Sequence, residues 1–449
     1  MSFQQGLSGL SAAAKNLEVI GNNISNANTI GAKSSRAEFS DMYASAVGGS
    51  GGVGIGSRLA AVTQDHTQGS ITTTGSNLDL AINGKGYFQV QDTSVLTGTA
   101  GGGGEMSVLY ARNGQFKSDR DGYIINNDGM RLLGYPADDT GTIRSGQLDA
   151  LKIPDARIEQ NPTSRVDMSF NLDANDPKKS VATFDPKEGG SFNYSTSFNL
   201  VDQAGKDVQL SMYFRKSDAN KWDVYATANG VPVQGAAGSQ IGSLDFTSSP
   251  DGAGPPAVAR YTGAPAPADA TRPQLTLDGT ALAAALNSPT LNKAKPEGVD
   301  YAFSNVSIDL GGATQRAGDY LVGAIKQDGY PVGTLSSFNF DKAGVLTARY
   351  SNGQVRQTAQ LALATFRNPQ GLSPAGGNAW AESKDSGAKS MNVPGTGATG
   401  EIMAGALEES NVDVTAELVS LITAQRTYQA NAQSIKTQDQ VMQSFVNMR

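Results

Sequence analysis

A chain of 449 residues, 38% apolar and 17% charged, is long enough for several hydrophobic cores and too weakly charged to be disordered throughout. Its 35 basic against 42 acidic side chains leave a net charge of -7, which argues against grasping a nucleic-acid backbone. With no cysteine and one histidine, disulfides, thiolate chemistry and multi-histidine metal centres are excluded.

At the N-terminus, Phe3, Leu7, Leu10, Ala14, Leu17 and Ile24 recur at spacings of three and four, broken only at Gly21. This predicts a helix over about 3–24 with a narrow apolar seam. The Asn-rich GNNISNANTIG that follows competes for its own backbone and ends it. No run of 18 apolar residues and no basic-then-apolar leader occurs, so neither membrane insertion nor a cleaved signal is expected.

Strand and hairpin signals come next. LDLAINGKGYFQV, YARNGQF and DRDGYIINNDGMRLLGY carry Asn-Gly and Asp-Gly pairs at turn positions. FNYSTSFNLVDQAGKDVQLSMYF and KWDVYA alternate apolar and polar residues around an Ala-Gly turn, as a second β domain would. The Pro-, Ala- and Gly-rich stretch 248–295 predicts peripheral loops. Strands resume at YAFSNVSIDL and TLSSFNFDKAGVLTARYSNG, with Asn352-Gly353 as a turn, and QTAQLALATF reads as a buried strand.

The C-terminus mirrors the start. Leu418, Leu421, Gln425, Tyr428, Ala432, Ile435, Asp439, Met442 and Val446 keep a 3.5-residue period, predicting a helix over about 415–447, about 50 Å long, capped by Asp413. Gln425 and Asp439 on that seam either weaken pairing in favour of register or face water.

Chemical motifs are weak. His66 lacks triad partners and reads as a solvated loop histidine. GSGGVG at 49–54 has the dinucleotide-loop spacing without a strand before it or a helix after it. Asp119, Asp121 and Gly122 fit a hairpin turn better than a calcium loop, which would need ligands where Lys117 and Asp128 stand. Asp138–Asp139 and Glu408–Glu409 show no neighbour that would split their pKa values. Trp222 with Tyr225 could stack a ligand, although a core tryptophan is commoner. We therefore expect no catalytic residue, metal or cofactor, and a structural protein.

One helix burying about six side chains gains roughly 9–18 kcal/mol, about what ordering its backbone costs. Pairing the two terminal seams, and stacking them on neighbouring copies, would stabilise both. If first and last segments meet, everything between is a nested insertion. The predicted fold is mainly β with α-helical termini: an elongated, nested multidomain subunit with paired terminal helices and two or more antiparallel β domains.

LEVIGNNISNANTIGAKSSRAEF (17–39) resembles the N-terminal signature of the bacterial flagellar rod, hook and hook-associated axial family. LEESNVDVTAELVSLITAQRTYQANAQSIKTQDQVMQSFVNM (407–448) resembles its C-terminal signature, while the strand segments above and YSNGQVRQTAQLALATFRNPQGLSPAGGNAWAES resemble its inner β region. The matching positions are Gly21, Asn22, Asn23, Asn26, Asn28, Thr29, Gly31, Ser410, Asn411, Val412, Asp413, Gln425, Arg426, Tyr428, Gln429 and Asn431. Ala32 stands where the family usually has Phe. Roughly 170 residues between the inner β segments favour the hook branch over the short rod proteins.

The resemblance implies a hook subunit outside the basal body, self-assembling into a curved tube that joins rod to filament and transmits torque as a universal joint. Implied partners are copies of the chain itself, a distal rod protein, a hook cap protein, a hook–filament junction protein and the flagellar export apparatus. Implied assembly positions are Phe3, Leu7, Leu10, Leu17, Ile24, Leu418, Leu421, Gln425, Tyr428, Ile435, Met442 and Val446. Expected domains are helices at 1–25 and 413–449, connectors at 26–74 and 396–412, an inner β domain at 75–154 and 326–395, and an outer one at 155–325. The alternatives are a distal rod or hook-associated subunit, or a β-domain adhesin or enzyme.

Overall fold

The computed structural model describes residues 2–42, 56–92, 107–138, 141–179, 184–233, 240–246, 257–260, 273–293, 295–296 and 298–447. The GSGGVG motif lies outside the described residues. Three α-helices occur among them, α1 (Ser2–Ser25), α2 (Gly279–Asn287) and α3 (Val414–Asn447); the remaining regular structure is almost entirely β. The chain forms two compact units, one of Met1–Pro154, Ser336–Arg349 and Val355–Arg449, the other of Asp155–Leu335 and Tyr350–Gln354.

In the first unit α1 and α3 pack together, and a two-stranded ribbon of β1 (Ser35–Met42) and β2 (Gly56–Gln64) lies against α1. Outgoing and returning chain then pair twice: Ile71–Thr73 with Ala406–Glu408, and Leu80–Asn83 with Glu401–Ala404. Beyond them a sheet runs in the order Val355–Leu361, Arg131–Pro136, Tyr87–Gln91, Val108–Ala111, Ala379–Ala381. Its core includes Leu80, Ile82, Phe88, Val90, Ile124, Leu132 and Leu361, all without exposed surface. Each such burial is worth about 1.5–3 kcal/mol.

Most of the expected turns close hairpins. Asp121-Gly122 joins Lys117–Ser118 to Ile124–Ile125, with Asp119 Oδ1 accepting from the amides of Asp121 (2.9 Å) and Tyr123 (2.7 Å). Asp119 is thus a turn residue. Asn352-Gly353 joins Val345–Tyr350 to Val355–Leu361, and Gly353 sits at φ 81°, where a side chain would be strained. Asn83-Gly84 does not close a hairpin. Leu80–Asn83 pairs instead with Glu401–Ala404, so the turn there redirects the chain between two sheets.

The second unit packs two sheets and α2 around one core. A six-stranded sheet runs Tyr194–Val201, Asp207–Asp218, Lys221–Ala228, Gln240–Asp245, Ala257–Arg260, with Val231–Pro232 attached. Asp207–Asp218 alternates cleanly, Val208, Leu210, Met212 and Phe214 pointing inward. A four-stranded sheet runs Gln274–Leu277, Val306–Arg316, Arg165–Asp173, Leu321–Gln327. Here Arg165–Asp173 and Val306–Arg316 are parallel while the other pairings of the sheet are antiparallel; the long intervening chain supplies the crossover that a parallel pair requires.

The stretch 248–295 departs from its loop reading where it is described. Ala257–Arg260 is a paired strand, Gln274–Leu277 is buried along its length, and α2 places Leu282 and Leu286 in the core, capped by Asp278. Composition had masked the apolar spacing of QLTLDGTALAAAL.

Candidate assembly site

The two terminal helices run antiparallel, in a register that sets Gly6 against Ile435, Gly9 against Asn431 and Asn23 against Glu417. Small residues permit the approach. A Cβ on Gly6 would lie 3.0 Å from Ile435 Cγ1, and one on Gly9 3.0 Å from Asn431 Nδ2. Glycine inside a helix costs about 0.5–1 kcal/mol, and the close packing offsets that cost. Ala13, Ile20 and Asn23 continue the line as buried residues, with Ala424 buried on α3.

Asn23 pins the far end. Its Nδ2 donates to Glu417 Oε1 (2.9 Å) and to the Ser35 carbonyl (2.8 Å), while its Oδ1 accepts from Ser35 N (2.9 Å). Helix α3 is capped by Asp413, whose Oδ1 accepts from the amides of Thr415 (2.9 Å) and Ala416 (3.2 Å). Asn411 Oδ1 accepts from Ser34 N (2.7 Å), and its Nδ2 donates to the Asp65 carbonyl (2.8 Å). Gly31, at φ 71°, brings its backbone so near Asn113 that a Cβ would lie 2.6 Å from that amide nitrogen.

The helix contact line is displaced by one residue from the apolar seam of the sequence. Leu7 is 52% exposed, while Leu10, Leu17 and Ile24 are half-buried. On α3, Leu421 and Ile435 are half-buried, whereas Leu418 (47%), Gln425, Tyr428 and Met442 (65%) are exposed. The side chains of Phe3 and Val446 lie outside the described residues. Among the signature positions, Asn23, Asn26, Thr29, Gly31, Ser410, Asn411, Asp413 and Asn431 make local or helix–helix contacts. Asn22, Asn28, Arg426 and Gln429 are exposed, while Gly21 and Val412 are half-buried.

Sequence reasoning missed a buried ionic clasp. Glu408 has no exposed side-chain surface; its Oε1 accepts from Lys33 Nζ (2.6 Å) and Gly69 N (3.0 Å), and its Oε2 from Arg112 (2.9 Å). Lys33 also donates to the Thr67 carbonyl (2.6 Å) and Arg112 to the Gly84 carbonyl (2.8 Å). Burial pulls the Lys33 ammonium below its ordinary pKa, opposed by Glu408. Two cations therefore meet one carboxylate where the sequence showed only an adjacent acidic pair.

Nor is His66 a solvated loop residue. It is half-buried, hydrogen-bonded through Nδ1 to the Tyr87 hydroxyl (2.9 Å), with its ring 5.3 Å from that of Trp380. Burial first, then the charges of Lys33 and Arg112, lower its pKa to about 4. In the second unit Trp222 is fully buried and donates to Gln315 Oε1 (3.2 Å), so it offers no stacking surface.

Four families match successive parts of the chain. Residues 3–33 match the flagella basal body rod protein family, 81–171 the flagellar hook protein FlgE/F/G D1 domain, 171–330 the flagellar basal body protein FlaE D2 domain, and 403–448 the flagellar basal body rod FlgEFG protein C-terminal family. The flagellar hook protein FlgE of Escherichia coli (strain K12) is 36% identical over 451 residues, covering 100% of both chains. FlgE of Salmonella typhimurium (strain LT2) is likewise 36% identical over 451 residues and 100% of both. The crystal structure of Helicobacter pylori flagellar hook protein FlgE2 aligns with 74% of this chain and 98% of its own, at 15% identity and a TM-score of 0.48.

Proposed function

Since this chain belongs to the flagellar hook protein family, we propose that it polymerises through the exposed apolar side chains of its paired terminal helices. It is a non-enzymatic structural subunit of the extracellular hook of the bacterial flagellum. The observation that carries the helical contact is exposure. Leu7, Leu418, Val419, Ile422 and Met442 are each about half in water, although the two helices already pack on each other. Covering such side chains against neighbouring copies is worth up to about 1.5–3 kcal/mol each, and ordering by assembly stabilises helices that are marginal alone. A head-to-tail contact that does not close produces a helical tube.

On this reading the second unit belongs to the outer part of the tube, where small wet contacts between copies exchange readily, so that the hook bends while transmitting torque. The partners are those the axial family implies: a distal rod protein below, a hook cap protein during growth, a hook–filament junction protein above, and the flagellar export apparatus. Leu418→Asp and Met442→Asp test the helical contact. Both positions are exposed, so the chain folds with unchanged circular dichroism, yet a charge enters the proposed seam and assembly into tubes is lost. Tubes of normal length and yield from either variant would overturn the helical-contact reading.

A further inference from the structure

A cavity of about 580 Å³ opens in the first unit beside strands Leu363–Thr365 and Ser390–Asn392. Three cations line it, Lys85, Arg112 and Arg367, together with His66, against a wall of Tyr87 and Phe366. No carboxylate is among its lining residues, in a chain whose acidic side chains outnumber its basic ones 42 to 35. Arg112 is only 4% exposed. Its two terminal nitrogens are committed to Glu408 and to the Gly84 carbonyl, and its Nε has no hydrogen-bond partner among the described residues. The Nε is itself shielded from solvent, so Arg112 contributes its charge to the cavity, while the exposed Lys85 and Arg367 offer the donors an anion can reach.

Two further features narrow the occupant. Strand Ser390–Asn392 hydrogen-bonds to Leu363–Thr365 on one side only, among the described residues, so its other edge is open to an extended segment. Ser390 and Asn392, which share one face of that strand, both line the cavity. Lys85 and Arg367 are exposed and form no ion pair with described residues. We propose that this cavity receives an aspartate or glutamate side chain from a second copy of this chain. The carboxylate meets the cations, its methylene groups lie on the Tyr87 and Phe366 rings, and its backbone runs along the Ser390–Asn392 edge. The second copy is the occupant because the chain polymerises with itself and presents a surplus of carboxylates to its neighbours. The inference rests on that self-assembly, though not on the helical seam.

The test replaces Ala388, at the cavity lining, by the photo-crosslinker p-benzoylphenylalanine in assembled hooks. Irradiation is expected to join chain to chain, with the adduct on a peptide that contains Asp or Glu. The doubly reversed variant K85E/R367E is expected to yield hooks that dissociate at least tenfold faster, while the unfolding of the isolated chain, followed by Trp380 fluorescence in a Trp222→Phe background, is unchanged. Changing the mapped acid to lysine then restores the dissociation rate. Tubes that form without any chain-to-chain adduct, or with one on a peptide lacking an acid, overturn the proposal while leaving assembly intact. Acetate that shifts the single His66 resonance equally in monomer and hook, with no adduct, identifies a small-anion site and also overturns it. A wild-type chain that makes no tubes would refute self-assembly instead.

Discussion

Replacing Glu408 by glutamine probes the clasp directly. The carboxylate accepts from Lys33, Arg112 and the Gly69 amide, all at 3.0 Å or less, with no solvent reaching it. In Glu408→Gln the shape is kept and the charge removed, so two buried cations face each other with one neutral acceptor between them. Removing one partner of a buried ion pair costs about 3–5 kcal/mol, because the remaining charge is left without compensation. Lys33 has a partial escape, since burial already lowers its pKa: it can lose its proton, and the penalty shrinks as pH rises. The assay uses the two tryptophans, Trp380 in the first unit and Trp222 in the second. Urea unfolding of Glu408→Gln in a Trp222→Phe background reports on Trp380 alone, and the expected loss at pH 7 is about 3–5 kcal/mol, smaller at pH 9. A loss under about 1 kcal/mol, or one that grows with pH, would refute the account of the clasp as a mutually dependent triad.

Gly9→Ile places a branched side chain where even a Cβ meets Asn431 at 3.0 Å. Overpacking of about 1–3 kcal/mol should speed amide hydrogen exchange in α1 tenfold or more, and unchanged exchange would show that the helices do not depend on that approach. His66 sets a pH dependence. Its folded pKa of about 4 lies below the unfolded 6.5, so between these values the unfolded chain binds more protons. The contribution is complete above pH 6.5 and lost as pH falls through 4. After allowing for the ring's partial exposure it amounts to about 1–2 kcal/mol, and His66→Gln should flatten the melting-temperature profile across that window.

What could be read along the chain was local. The two terminal helices, the cap at Asp413, the turns at Gly122, Gly205 and Gly353 and the alternation of Asp207–Asp218 all depend on residues within a few positions of one another. The axial signatures at both ends were likewise legible, as short motifs. What tertiary structure decided was which elements meet. The helix contact runs through Gly6, Gly9 and Asn23, which carry no hydropathy signal, because close backbone approach and an amide hydrogen bond act there alongside the buried Ala13, Ile20 and Ala424. The more apolar row beside it is left partly in water, with Leu7, Leu418 and Met442 exposed. The strand Leu80–Asn83 finds its partner at Glu401–Ala404 instead of at the next strand, because the outgoing and returning chains share one core. The clasp joins Lys33 to Glu408 across 375 residues. A charge is buried only when distant groups satisfy it, and neither spacing nor composition along the chain records which groups those are.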